Sequence, residues 1–519
     1  MPKETQLTAT IVRGRALITG ATDRFSVETI DGGALVIEDG LVAEVGGYDD
    51  LAARYPDAPV IGSGDDIVLP GFVNGHHHVG LTPVQLGSPD MPLELWFITR
   101  MVCRNVDFYL DTLYSAFEMI GSGITTVQHI HGWLPGPLSQ VTAACDDVIR
   151  AYEDVGMRVS YCYAVRDQNR LVYQDDAEFV AGLPKELREP MKRWFGRFAV
   201  GLEDSLGLFR DMHARHNAKR RVRIQLAPAN LHWCSDAALT ALSDTSKSYD
   251  APLHMHVLET AYQKAYAWKR GECTAVEYLD RFDLLSPRLT LGHGVWLNES
   301  DIGKLAHAGA CVCHNCSSNF RLRSGVAPLN AFEAAGINTA IGLDEAGLND
   351  DRDMLNEMRL VARAHRTPGM VDADVPTFPQ VLRMATEGGA RTTPFGDTIG
   401  RLEPGRAADL VMIDWKHVSF PYLDEETPLL DAVIQRAKTS GVTRVICDGE
   451  TLYEDGKFTR VDRDGALKAL HDDLARALSD DEVERRQLSK ALLPHARRFY
   501  ANYIDPSRHE PFYRPSSRV

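Results

Sequence analysis

Two histidines one residue apart, His76 and His78, close an apolar run that ends Leu69-Pro70-Gly71-Phe72-Val73-Asn74-Gly75. Side chains two apart on a strand point to the same side. Both imidazoles can therefore grip one metal ion from the end of one strand, while His77 faces the other way. Alone, the pair is also what an ordinary polar strand end looks like. Four more residues join it. His256 and then Glu259 close Leu253-His254-Met255-His256-Val257-Leu258-Glu259, His293 closes Leu289-Thr290-Leu291-Gly292-His293, and Asp344 closes Ile341-Gly342-Leu343-Asp344. The imidazoles of His76, His78 and His256 with the carboxylate of Asp344 suit zinc or iron(II), leaving a position open for water. Such a cation lowers the pKa of water from 15.7 towards about 7. Glu259 and His293 are then available to shuttle protons and to orient water or substrate. Each residue has a structural alternative as well. His256 could be a satisfied core histidine, Glu259 could favour a helix N-terminus, Asp344 could cap the helix around Met354-Leu355, and His293 could bond a carbonyl. None of these alternatives predicts all six together.

Such a site needs an element that presents many strand ends on one side. Between about residues 71 and 398, short β-branched runs alternate with longer helical patterns. With the strand before His76 they number eight: Ile124-Thr125-Thr126-Val127, the runs at 157–161, 222–226, 253–257, 289–291 and 310–313, and Thr339-Ala340-Ile341-Gly342. Alternating strands and helices imply parallel βαβ units, and eight of them imply an α/β fold of the (β/α)8 TIM-like barrel type, whose active site lies at the C-terminal strand ends. Residues 1–70 read as β, with Ala34-Leu35-Val36-Ile37 and Leu41-Val42-Ala43-Glu44-Val45 about a Glu38-Asp39-Gly40 turn. The same grammar returns over 399–465, so the two chain ends are expected to share a small β-sandwich domain. Residues 466–519 form a C-terminal extension, helical over Ala466 to Leu478 and Asp481 to Tyr500, with a tail from Tyr503 that could wrap the protein or a partner subunit.

Composition narrows the classes of function. Hydrophobic residues make up 44% of the 519, enough for a large core. Acidic residues outnumber basic ones, 72 to 56, for a net charge of −16. A nucleic-acid groove needs a basic surface and is disfavoured. Met1-Pro2-Lys3-Glu4-Thr5 has no apolar leader, and no apolar run is long enough for a bilayer. Nine scattered cysteines, an odd number, argue against a disulfide framework, so the expected location is the cytoplasm. Cys311, Cys313 and Cys316 lack a second knuckle and are expected to be small buried thiols. No phosphate-binding loop, His-Glu-x-x-His or serine elbow stands out.

Taken together, Pro70-Gly71-Phe72-Val73-Asn74-x-His76-x-His78, His254-x-His256-x-x-Glu259, Gly292-His293-Gly294, His314-Asn315-x-x-Ser318-Asn319 and Leu343-Asp344 resemble the metal-dependent amidohydrolase superfamily. The branch they resemble contains cytosine and guanine deaminases and the s-triazine hydrolases. Gly400-x-Leu402-Glu403-Pro404-Gly405-x-Ala407-Ala408-Asp409-Leu410-Val411 is similar to that family's return into its small β-sandwich, so the resemblance covers about residues 8–460. It implies one divalent metal, zinc first and iron second, held by His76, His78, His256 and Asp344, with Glu259 and His293 handling protons and substrate. Binuclear members carry a bridging lysine on strand four. Here that strand reads Arg223-Ile224-Gln225-Leu226-Ala227-Pro228, which implies a mononuclear site. His129 and His131 make a second His-x-His, expected to be structural, with the pocket as the alternative.

For the substrate, Trp96 could stack on a flat ring and Gln85 could hydrogen-bond it. His232 and Trp233 are further pocket candidates. Glu345, after the ligand aspartate, would give an acidic wall suited to an amino or cationic group. His77 departs from the small or polar residue common at that place, and Leu81-Thr82-Pro83-Val84-Gln85-Leu86-Gly87 departs from purine deaminases. The expected activity is hydrolytic deamination of a nitrogen-rich, cyclic small molecule, with Glu259 protonating a ring nitrogen and Asp344 taking the second proton of water. Alternatives are hydrolysis of an amide, urea or carbamate bond, dehalogenation of the s-triazine type, and a non-catalytic scaffold, which would lack ligands. The expected partner is a small molecule, not nucleic acid or membrane, and a homo-oligomer fits the C-terminal helices.

Overall fold

The computed structural model describes residues 9–505, Trp133 excepted. The leader segment considered above and the tail beyond Asp505 lie outside the described residues. Eight strands occupy the middle of the chain: β1 (Phe72–His77), β2 (Ile124–His131), β3 (Arg158–Val165), β4 (Val222–Ile224), β5 (Leu253–Val257), β6 (Leu289–His293), β7 (Cys311–His314) and β8 (Asn338–Ile341). They pair in parallel and in chain order, β1 to β4 in one sheet and β5 to β8 in a second. Parallel bridges from Leu226 to Leu253 and from Asn230 to His256 cross from the β4 side to β5, and one from His77 to Asp344 crosses from β1 to the residues after β8. β1, β2, β5 and β6 are buried at every position, polar residues included, as strands covered on both faces are. Helices such as Phe108–Gly121, Leu138–Val155, Asp236–Tyr249, Glu299–Ala308 and Met354–Ala364 lie between the strands.

Two expected strand boundaries shift. β4 breaks before Gln225 and resumes as Ala227–Pro228, which pairs with the end of β3. β2 runs on to His131, so His129 and His131 are both strand residues.

The chain ends meet in a seven-stranded sheet. Its order is Lys457–Phe458, Glu450–Glu454, Val442–Cys447, Leu410–Asp414, Asp66–Pro70, Ala16–Ala21 and Val27–Asp31. Leu410–Asp414 runs antiparallel to Asp66–Pro70, so strands from the two chain ends are direct neighbours. A four-stranded sheet, Leu41–Gly47, Gly33–Glu38, Thr10–Arg13 and Val60–Ile61, contributes Val12, Leu35 and Val42 to one buried cluster with Leu17, Val68, Leu410 and Met412 of the larger sheet.

The C-terminal helices span Arg463–Leu474 and Asp480–Tyr500. The first ends sooner than its apolar spacing suggests because Ser479 and Glu482 form a capping box that starts the second. Among the described residues no helix is long and apolar enough to cross a membrane. All nine cysteines are free thiols.

Candidate metal centre and active site

His76 at the end of β1, His78 just past it and His256 near the end of β5 point their Nε2 atoms at one another. The separations are 3.0 Å for His76–His78 and 3.1 Å for both other pairs. Proton accounting shows why this is unusual. His78 Nδ1 donates to the Ile130 carbonyl at 2.7 Å, and His256 Nδ1 donates to the Ala229 carbonyl at 2.8 Å. A carbonyl can only accept, so both rings carry their proton on Nδ1 and turn an Nε2 lone pair inward. His76 Nδ1 lies 2.8 Å from His254 Nε2. Buried lone pairs at this spacing repel unless positive charge lies between them. Nitrogens about 2.0–2.1 Å from a tetrahedral zinc stand about 3.3 Å apart, so the donor set fits one such ion.

Asp344 completes the set. Its Oδ1 lies 3.1 Å from His78 Nε2 and 3.6 Å from His76 Nε2, and its Oδ2 accepts from the Ser318 hydroxyl at 2.5 Å. Burial alone would raise the Asp344 pKa. His78, His293 and His256 outweigh it and hold the carboxyl well below the usual range. Burial likewise pushes His78 down, yet Asp344 more than offsets it, so the His78 pKa is raised. The cluster attracts positive charge.

The backbone aims these groups. Asp344 N donates to the His76 carbonyl at 2.8 Å, and Leu343 N donates to Asn74 Oδ1 at 3.0 Å. His77, on the opposite side of β1, sets one nitrogen 3.2 Å from the Asp344 carbonyl and the other 3.3 Å from the Ser115 hydroxyl. Leu258, His293 and Asp344 have φ of 53°, 73° and 54°, left-handed turns that side-chain-bearing residues seldom adopt and that cluster at functional sites. Glycine allows the close packing: a Cβ on Gly342 would meet Asn315 Oδ1 at 2.3 Å and His76 Cβ at 2.5 Å.

Glu259 and His293 stand beside the set, with His293 Nε2 3.6 Å from Glu259 Oε2 and 3.7 Å from Asp344 Oδ2. Burial, with Asp344 and Glu94 nearby, pushes the Glu259 pKa well above the ordinary range. Burial lowers that of His293. Its Nδ1 sits 2.9 Å from Asn319 Oδ1, and Asn315 Nδ2 approaches its Nε2 at 3.3 Å. A carboxyl and an imidazole that burial pushes towards their uncharged forms therefore face the same point, an arrangement able to give and take protons at one reacting atom.

A cavity of about 450 Å³ opens onto this group and is lined by His78, His256, Glu259, His293 and Asp344. Trp96, Trp233 and Glu345 line it as well, and so do His129 and His131, whose Nδ1 atoms lie 2.9 Å from the hydroxyls of Tyr152 and Tyr161. Two expected substrate residues do not. Gln85 turns outward, its Oε1 accepting from Thr82 N and its Nε2 donating to the Tyr114 hydroxyl. His232 is buried against Tyr173 and Trp233 at ring separations of 4.0 and 4.2 Å. Glu345 is not a bare acidic wall, since Arg100 pairs with it at 2.5 Å and lies 4.8 Å over the Trp96 ring. Gln225, on the strand that lacks a lysine, bonds Gln128, Ser160 and the Thr392 carbonyl. Arg100 and Arg166, both on the cavity wall, had no sequence signal. His254 had one: its spacing of two from His256 puts both on the same face of β5.

Comparison with known proteins gives the family. A model of the amidohydrolase family matches residues 67–452, and one of a bacterial imidazolonepropionase-like composite domain matches residues 33–58. The chain belongs to the amidohydrolase family. It is 30% identical over 461 residues to a 5-methylthioadenosine/S-adenosylhomocysteine deaminase of Nitratidesulfovibrio vulgaris (strain DP4), covering 87% of this chain and 94% of that protein. It is 29% identical over 431 residues to a 5'-deoxyadenosine deaminase of Methanothermobacter thermautotrophicus, covering 82% and 90%. Its fold matches that of a zinc-bound adenosine deaminase from Xanthomonas campestris, with a TM-score of 0.75, 23% identity and coverage of 89% and 97%. It also matches a zinc complex of an atrazine chlorohydrolase from Arthrobacter aurescens TC1, with a TM-score of 0.76, 21% identity and coverage of 89% and 99%.

Proposed function

We propose that the protein is a metal-dependent hydrolase that removes an amino group from a nitrogen heterocycle, with adenine nucleosides the first class to test. The observation that carries this reading is the convergence of His76, His78, His256 and Asp344, with buried Glu259 beside them at the wall of the cavity. In this reading those four residues hold one divalent ion, zinc ahead of iron. When bound, the ion supplies a Lewis acid that makes water nucleophilic near neutral pH. Glu259, kept neutral by burial, gives its proton to the ring nitrogen next to the carbon under attack. Asp344, kept ionised, takes a proton from the attacking water. His293, held by Asn319 and Asn315, orients the polar atom that changes charge. Trp96 and Trp233 line the cavity with Arg100 and Arg166 over their rings, so they shape its apolar wall.

The nucleoside class draws on the relatives above, whose printed names are adenosine-type deaminases. We also read the eight parallel strands as a closed (β/α)8 barrel over 71–398, supported by the bridges at both seams. The two flanking sheets then form one sandwich built from 1–70 and 399–465. The test is ammonia release by zinc-loaded protein across adenine nucleosides, free aminopurines and simple amides. Ammonia from a nucleoside or aminopurine is the expected result. Release from amides alone would replace deamination with amide hydrolysis, and no ammonia from any of them would overturn the proposal.

A further inference from the structure

Helix Asp480–Tyr500 lies beyond the residues matched by the family model, which end at 452. Even so, its Arg485 lines the cavity. The Arg485 side chain is only 10% exposed; its Nε pairs with Asp481 on the same helix, and its two Nη atoms reach one short segment. Nη1 donates to the carbonyls of Met101 and Cys103 at 2.9 and 2.8 Å, and Nη2 donates to Asn105 Oδ1 at 2.9 Å. Neighbouring positions on the helix repeat the pattern. Ser489 Oγ donates to the Ile98 carbonyl, Arg486 Nε to the Val102 carbonyl, and Glu482 accepts from Asn105 N. Leu488, Leu492, Ala496 and Tyr500, four apart on one helical face, bury against a cluster that includes Leu95, Ile98 and Met101.

The anchored segment runs from the short turn Arg100–Val102 into irregular chain, where backbone carbonyls have no ladder partners. It carries Arg100 and follows directly on the helix Leu93–Thr99 that carries Trp96, and Arg100 in turn holds Glu345, next to Asp344. We propose that the C-terminal helix positions the substrate-facing wall, with Arg485 as the positioning residue that sets where Trp96 and Arg100 stand. An arginine suits this place because its rigid fork satisfies several acceptors at once. Met101, Cys103, Arg104 and Asn105 of the same segment line the cavity without belonging to the proposed metal set, so a ligand large enough to reach them depends on where this wall stands. Displacing it weakens a large ligand and spares a small one.

The kinetic test rests on the function proposed above. For Arg485→Ala we expect KM for adenosine to rise about tenfold, while KM for free adenine moves less than about twofold. Values of kcat and zinc content stay unchanged, and Arg485→Lys falls between wild type and Arg485→Ala. Equal losses for both probes, or no change for either, would overturn the inference. Hydrogen exchange reads the same question without turnover. Amides of residues 98–106 should exchange faster in Arg485→Lys while β1 keeps its protection, and unchanged exchange there would overturn the inference. If wild-type protein deaminates neither probe, only the function proposal fails, and exchange still decides this one.

Discussion

His76, His78 and His256 at the ends of β1 and β5, and His314, Cys316 and His365 beside β7, are both buried groups of side chains of the kind that bind metals. They differ in where their protons go. In the first group, carbonyl acceptors hold protons on the outer nitrogens of His78 and His256, and three Nε2 atoms converge beside a carboxylate. In the second, His314 Nε2 lies 2.8 Å from His365 Nε2, and His365 also hydrogen-bonds the backbone of Ala327. One proton between the rings completes that contact. Burial lowers the His365 pKa to about 4, so both rings are neutral near pH 7. Cys316, 4.0 Å away, is pushed up by burial, which keeps it a thiol rather than the thiolate a metal needs. Residue type and proximity are alike in the two places. Uncompensated lone pairs distinguish the metal centre.

The largest expected effect breaks the comparison if it fails. His256→Ala should lose its metal and several kcal/mol of transition-state stabilisation, about a thousandfold in turnover. His365→Ala should keep both metal content and turnover within about tenfold. Elemental analysis alongside steady-state kinetics reads the contrast, and metal loss in the His365 variant would erase the distinction. Glu259→Gln should lower kcat by about 10²- to 10⁴-fold while the metal stays bound, since it removes a proton donor and not a ligand.

Packing gives a smaller effect. Gly342→Ala drives a Cβ into Asn315 and His76 and should cost about 1–3 kcal/mol in thermal unfolding. Gly303, in the helix Glu299–Ala308 with nothing near its missing Cβ, should gain up to about 1 kcal/mol as alanine. The smallest effect sharpens the second region. Burial raises the Glu357 pKa to about 7, above the roughly 4.3 of an unfolded glutamate. The folded state therefore keeps a proton that the unfolded state has released. The Glu357 contribution to stability is whole below about pH 4.3 and is lost as pH rises through about 7. Glu357→Gln should flatten the stability-versus-pH curve across that window, and an unchanged slope would mean that the carboxyl is ionised when folded.

Much of the site was legible from spacing because strand ends repeat a simple rule. A period of two put His76 and His78 on one side and His77 on the other, and short apolar runs located the ends that bear His256, His293 and Asp344. Loop residues follow no such rule. Gln85 was expected at the substrate but bonds Thr82 and Tyr114, because its loop folds back on itself. His232 was expected there too, but aromatic neighbours distant in sequence bury it. Glu345 looked like an acidic wall until Arg100 paired with it.

The order of residues along the chain thus determined which chemistry was available and on which side of each strand it would stand, because alternation along a strand is local geometry. It determined the caps that start and stop helices for the same reason. Tertiary structure alone decided which nitrogen of each histidine keeps its proton, which carboxyls stay neutral, and that a helix near the C-terminus reaches the wall beside Trp96. Those outcomes depend on carbonyls, charges and burial contributed by residues tens to hundreds of positions away, which no local pattern records.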